Sequence, residues 1–292
     1  MTRIRATFTG DGRLEASVSG PLHSEAMSTD PPSPTFGTMP AAAVIAELMS
    51  VQRDVPRRSR AARLFGRSPL SPQSRPWYVG ALGELEVARR LDALGAEWTV
   101  RHAVPVGTRG SDIDHIVLGP AGVFTINTKF HEDARIWVSS RQLRVNGQPK
   151  DHLRNARYEA QRVAKILTAA TDTTVTVSPM VVIVGAKDIT IREQPGDVAV
   201  VRETQVVRRL RSSPPTLSPD QLASIAAVLV DRRTWTMTPA DGSDVAPAFA
   251  ELRREVRSAK RVRLTWALAA LGGGTALILA FASGAFVSLL GG

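Results

Sequence analysis

Two short stretches and one helix carry the side chains with the most chemical potential. Residues 112–118 read DIDHIVL and residues 123–129 read VFTINTK. Between them Gly119-Pro120-Ala121-Gly122 forms a tight-turn sequence with proline at its second position. The pattern predicts a β-hairpin. Strand side chains alternate, so Asp112 and Asp114 share one face, and Asn127 and Lys129 share one face of the next strand. Glu84 is the third part. In a helix predicted over 78–94 it falls inside the apolar arc of Val87, Ala88, Leu91 and Leu94. An acid there is costly without a partner or a task. Carboxylates, an amide oxygen and a lysine around one spot suit a hard divalent cation, Mg²⁺ or Mn²⁺. A lysine beside it could orient or deprotonate a water for in-line attack on phosphorus, or steady the developing charge.

Purely structural roles compete with that chemistry. Asp112 could cap the strand start after Gly110. Asp114 and Lys129 could be an ion pair across the hairpin, and Glu84 could pair with Lys129 or another cation. His115 alternates to the other face and reads as a core histidine. His131, Glu132 and Asp133 read as a solvated turn.

The surrounding pattern supplies an α/β frame. Strands are predicted over 98–104, 112–118, 123–129, 136–139, 142–145, 178–184 and 197–201. Helices are predicted over 150–170, 205–210 and 219–231. The run SPMVVIV is apolar throughout, as in a strand buried on both faces. The order implies a mixed sheet sandwiched by helices. On the helix over 150–170, Arg154, Arg157, Gln161 and Lys165 fall within about 80° of one another. They form a basic stripe that suits phosphate contacts without base readout, or an ordinary solvent face.

GALGE (80–84), DIDHIVLGPAGVFTINTK (112–129) and HLRNARYEAQRVAKIL (152–167) together resemble the nuclease-related domain family. The resemblance covers roughly 77–190. It implies a restriction-endonuclease-like mixed β-sheet flanked by helices, and metal-dependent cleavage of DNA or RNA. By that likeness Glu84 matches the helix acid, Asp114 the metal-binding aspartate and Lys129 the lysine of an E-x-K element. Glu84 would then assist Asp114 or hold a second ion. The acid of that element would be residue 127, and here it is Asn127. An amide oxygen can ligate Mg²⁺ but brings no charge, and Asp112 is placed to compensate. The alternative is a nuclease-fold module without catalysis that binds nucleic acid or a protein partner at a membrane.

The 292 residues contain no cysteine, which excludes disulfide scaffolds, thiolate metal sites and cysteine nucleophiles. The formal charge of +10 is concentrated in two runs, 53–67 and 253–263. A protein that coats nucleic acid with its whole surface is therefore not implied. Residues 1–76 read as a disordered and basic linker region, with a short helix over 41–52. Residues 77–235 read as the folded domain, and 236–263 as a linker and basic helix. Residues 264–290 are apolar and long enough for a transmembrane helix. The basic flank predicts a single-pass protein with its N-terminal domain in the cytoplasm. Lipid contact and a homo-oligomer through that helix would follow.

Overall fold

A computed structural model describes residues 7–8, 14–15, 39–106, 112–235 and 244–282. The chain divides into two units, residues 1–34 and 35–292. In the first, the described part is an antiparallel pair, β1 (Thr7–Phe8) and β2 (Leu14–Glu15). Of the disordered and basic region expected over 1–76, the rest of 1–38 falls outside the described residues.

The second unit begins with α1 (Ala42–Arg53), α2 (Arg60–Leu64) and α3 (Ser74–Leu91). The last starts a turn before the predicted Tyr78, where Ser71 and Ser74 exchange backbone-to-hydroxyl hydrogen bonds. An antiparallel meander follows: β3 (Thr99–Pro105), β4 (Asp112–Gly119) and β5 (Gly122–Phe130). The predicted hairpin is β4–β5. Leu118 faces Val123 and His115 faces Ile126 across it. Gly122 holds φ +118° at the turn, a conformation open to glycine without strain.

Next come β6 (Arg135–Val138), β7 (Leu143–Val145), β8 (Gln148–Lys150) and α4 (His152–Thr171). They lead into β9 (Val177–Val184), β10 (Asp188–Ile191) and β11 (Ala199–Arg202). The main sheet has the order β11-β9-β5-β4-β3, with β11, β9 and β5 parallel. A second sheet has the order β10-β6-β7-β8. Neither β8 nor β10 has the apolar run that predicts a strand. β10 forms because it pairs in parallel with β6, Ile189 beside Ile136.

The chain closes with α5 (Val206–Arg211), α6 (Pro219–Val230) and α7 (Ala246–Ala282). On one face of the main sheet, Val87 and Leu91 of α3 and Leu210 of α5 pack on Phe124, Ile126 and Met180. On the other face, Ala160, Val163 and Leu167 of α4 and Ile225 and Leu229 of α6 pack on Ile116, Leu118 and Val123. Fully burying such an aliphatic side chain stabilises by about 1.5–3 kcal/mol. β9 is an interior strand. Val182 and Val184 join the α3 side, while Val181 and Ile183 join the α4 side, which is why its sequence is apolar without alternation.

Two expectations are corrected. The Arg-rich segment 53–76 is not only a linker. It contains α2, and Arg58 pairs with Glu255 of α7 at 3.1 Å with its side chain 10% exposed. Gly66, at φ +63°, lies so close to α7 that a Cβ there would meet the backbone of Ala259 and Arg263.

The single-pass membrane reading is also overturned. Among the described residues no helix is long and apolar enough to cross a membrane. α7 is one continuous helix whose first half buries Phe249, Leu252 and Ala259 in the body of the domain. Of the apolar part, Trp266 touches the body of the domain: its Nε1 donates to Leu64 O at 2.8 Å and its ring lies against Phe65, while Leu264, Leu268 and Leu271 are exposed. Residues 283–290 of the expected span lie outside the described residues. With that reading go the lipid contact and the homo-oligomer built on it.

Candidate active site

The meander leaves its two ends chemically different. Near the turn, β4 and β5 are apolar. At the far end β4 begins with Asp112 and β5 ends with Lys129. One step beyond the His115–Ile126 pair, the same register sets Asp114 beside Asn127. Thr128 N donates to Asp114 Oδ2 at 2.6 Å across the two strands. Asp112 and Asp114 are half-buried, as is Lys129.

α3 brings Glu84 to this point from the opposite face of the sheet. Gly83 makes the approach possible, since a Cβ there would stand 3.2 Å from Phe130. Glu84 is 7% exposed. Burial pushes its carboxyl well above the usual range, the Asp114 charge pushes it further, Lys129 opposes, and Asp112 adds to the rise. Four of the residues singled out from sequence, Glu84, Asp112, Asp114 and Lys129, are thus electrostatic neighbours. Asp112 is raised to about 6 by burial and then by Asp114. Asp114 is also raised by burial, against the opposing pull of Lys129 and the Thr128 hydrogen bonds. A cavity of about 220 Å³ opens onto Glu84, Asp112 and Asp114, with Trp77, Ala103 and Glu47 of α1 among its other walls.

Asn127 is only 4% exposed. Its amide nitrogen donates to Glu159 Oε1 on α4 at 2.5 Å, and its Oδ1 is buried with no hydrogen-bond partner. Glu159 is the site residue that sequence reasoning missed. Its signal was weak but present. Taking 100° per residue, it lies about 40° past Val163, at the edge of the buried arc of α4 rather than on its wet face. Burial raises Glu159 to about 7, and the Asn127 hydrogen bond works against that rise.

The donor set is of the chemistry a hard divalent cation takes. Among the described residues no three Asp, Glu or His side chains are spaced to hold a metal ion. Mg²⁺ does not require three. It is commonly held by one or two carboxylates, keeping several waters. The buried, unpartnered Asn127 Oδ1 is an oxygen donor of the right kind. Carboxylates also outnumber the single lysine here, and a bound cation would relieve their mutual repulsion.

The basic stripe is only partly available. Arg154 pairs with Asp151 at 2.9 Å, and Arg157 makes two hydrogen bonds to Asp197, at 2.6 and 2.9 Å. Gln161 and Lys165 are exposed on the same helix. The four described histidines form two pairs. His115 is fully buried, with its Nδ1 2.8 Å from Nδ1 of His102. His131 differs from the expected solvated turn residue: it is half-buried, 3.1 Å from His152 through the two Nε2 atoms. Burial and then Lys129 hold both below the usual imidazole range, His152 at about 3. Glu132 and Asp133 are exposed.

Residues 79–184 match the family model of the nuclease-related domain, NERD. No curated protein and no solved structure matches the chain. The NERD segment runs from within α3 to the last residue of β9. It therefore contains Glu84, Asp112, Asp114, Asn127, Lys129 and Glu159. It leaves out α1 and α7, which pack with the outer side of α3 through Ile45, Leu48, Tyr78 and Phe249. Those helices are additions of this chain to the matched segment.

Proposed function

We propose that this protein hydrolyses phosphodiester bonds of DNA or RNA with Mg²⁺ or Mn²⁺, at the acidic end of the β4–β5 hairpin. What supports the reading most is the convergence of Glu84, Asp112, Asp114 and Lys129 inside the segment that matches the nuclease-related domain. Hydrolysis adds water across one P–O ester bond. The water oxygen joins phosphorus, the ester oxygen leaves, and the leaving oxygen takes up a proton. The metal, when bound, polarises a phosphate oxygen as a Lewis acid. Asp114 and Asn127 would hold it, helped by Asp112. The Lys129 ammonium would donate to the water or to the phosphate oxygen on which charge grows. Removing one such donor typically costs about 10²–10³ in rate. Glu84, with Lys129 and Asp114 as neighbours, would balance the lysine charge or hold a second ion.

The test is a cleavage assay of the full chain with Mg²⁺ or Mn²⁺ on single-stranded DNA, double-stranded DNA and RNA. Lys129→Ala is assayed beside it. Metal-dependent cutting that disappears in the variant supports the reading. No cutting by a folded chain favours the second reading, a module that binds nucleic acid or a protein partner without cleaving. The specific observation behind that alternative is Asn127 at the position where the E-x-K element has an acid.

A further inference from the structure

The Asn127–Glu159 contact gives the missing acid a replacement. We propose that Glu159 of α4 supplies the carboxylate that position 127 lacks, so that Asp114, Asn127 Oδ1 and Glu159 together form the divalent-cation site. The inference rests on the reading above and adds to it a residue on a different element.

Three observations carry it. The first is position. β5 and α4 are neighbours, and Glu159 Oε1 lies 2.5 Å from Asn127 Nδ2. The carboxylate therefore sits one side chain beyond where a glutamate or aspartate at 127 would have placed its own. The second is the orphaned oxygen. Asn127 is 96% buried, and its Oδ1 has no hydrogen-bond partner. Leaving a buried acceptor unsatisfied costs its full desolvation, so the cost calls for a ligand on that oxygen. The third is the surroundings of Glu159 itself. Lys129 and Asp114 both act on it electrostatically, and its described hydrogen bond comes from an amide, not from an Arg or Lys. A half-buried carboxylate with so little charge compensation is costly, and a cation shared with Asp114 would supply the compensation.

A structural role would look different. If Glu159 only held Asn127 in place, a glutamine would serve as well, because its carbonyl oxygen can accept the same hydrogen bond. Glu159→Gln therefore separates charge from shape. A second variant moves the charge instead of removing it. In the double variant Asn127→Asp with Glu159→Gln, the amide and the carboxylate exchange places with almost no change in volume.

The experiment is calorimetric titration of Mn²⁺ into the full chain, with thermal unfolding of each variant as a check on folding. The expected result is that Glu159→Gln weakens Mn²⁺ binding at least tenfold while the chain stays folded, and that the double variant recovers most of the loss. Equal Mn²⁺ affinity in the wild type and Glu159→Gln would overturn the role of Glu159 and leave the nuclease reading standing. A double variant no better than Glu159→Gln, with both folded, would overturn it too. No Mn²⁺ binding by the folded wild type would overturn this proposal together with the metal-dependent reading beneath it.

Discussion

The two ends of the β4–β5 hairpin are built on the same backbone ladder and do opposite things. At the turn end Leu118 and Val123 are buried, and Trp98 lies directly over Gly119. Nothing there titrates, and packing decides everything. At the open end Glu84, Asp114 and Glu159 are electrostatic neighbours of Lys129, with Asp112 beside Asp114, and each carboxyl is raised by burial. That end gives up stability to hold charge where water is scarce. Under the proposed function, the contrast separates function from fold within a single hairpin. Damage to the turn end should unfold the protein, and damage to the open end should silence it.

The sharpest way to break the contrast is Lys129→Ala. Cleavage is expected to fall by about 10²-fold or more, with the unfolding midpoint hardly moved, as read by a nuclease assay beside a thermal melt. Gly119→Ala should do the reverse. Its Cβ would stand 2.2 Å from the Trp98 ring, and overpacking of this kind costs about 1–3 kcal/mol. Denaturant unfolding should show that loss, and metal affinity of the folded fraction should be unchanged.

Asp112→Asn should sharpen the contrast through pH. The folded carboxyl is raised to about 6, above the value near 3.9 of an unfolded chain. Between those values the folded state binds more protons, so this group's contribution to stability falls as pH rises from about 4 to about 6. In chelator, the variant should be more stable than the wild type above pH 6, by about 0.5–2 kcal/mol, and equal to it below pH 4. Added Mn²⁺ should narrow the gap by stabilising the wild type more.

The smallest effect belongs outside both ends. Arg157→Ala removes a surface ion pair with Asp197 and should cost no more than about 1 kcal/mol. If the α4 stripe contacts phosphates, the same variant should also reduce the salt dependence of nucleic-acid binding by about one unit of slope. An unchanged slope would leave Arg157 a purely structural residue.

Much of the site was legible in the chain itself. Period-two alternation and the Gly-Pro-Ala-Gly turn place Asp112, Asp114, Asn127 and Lys129, because a hairpin is a local structure whose register follows from its turn. Glu84 was legible as an acid in an apolar arc. Glu159 was not, since its meaning depends on which strand α4 packs against, and that is a contact between residues 32 positions apart. The same holds for β10, whose partner β6 lies far away in sequence. It holds also for the Arg-rich segment, which charge alone presents as solvated. Arg58 is held there by Glu255 of α7 and by the carbonyl of Arg67.

The apolar C-terminal run shows the limit from the other side. Composition suggested a membrane span, but hydrophobicity is non-directional and does not say what covers it. In the folded chain Trp266 is half-exposed and makes its contacts with Leu64 and Phe65 of the protein's own body. The sequence by itself determined the hairpin, the acidic and lysine side chains on it, and the lack of an acid at position 127. Only the tertiary structure decided that Glu159 would stand beside that gap, because helix-to-strand packing brings together side chains that no local pattern connects.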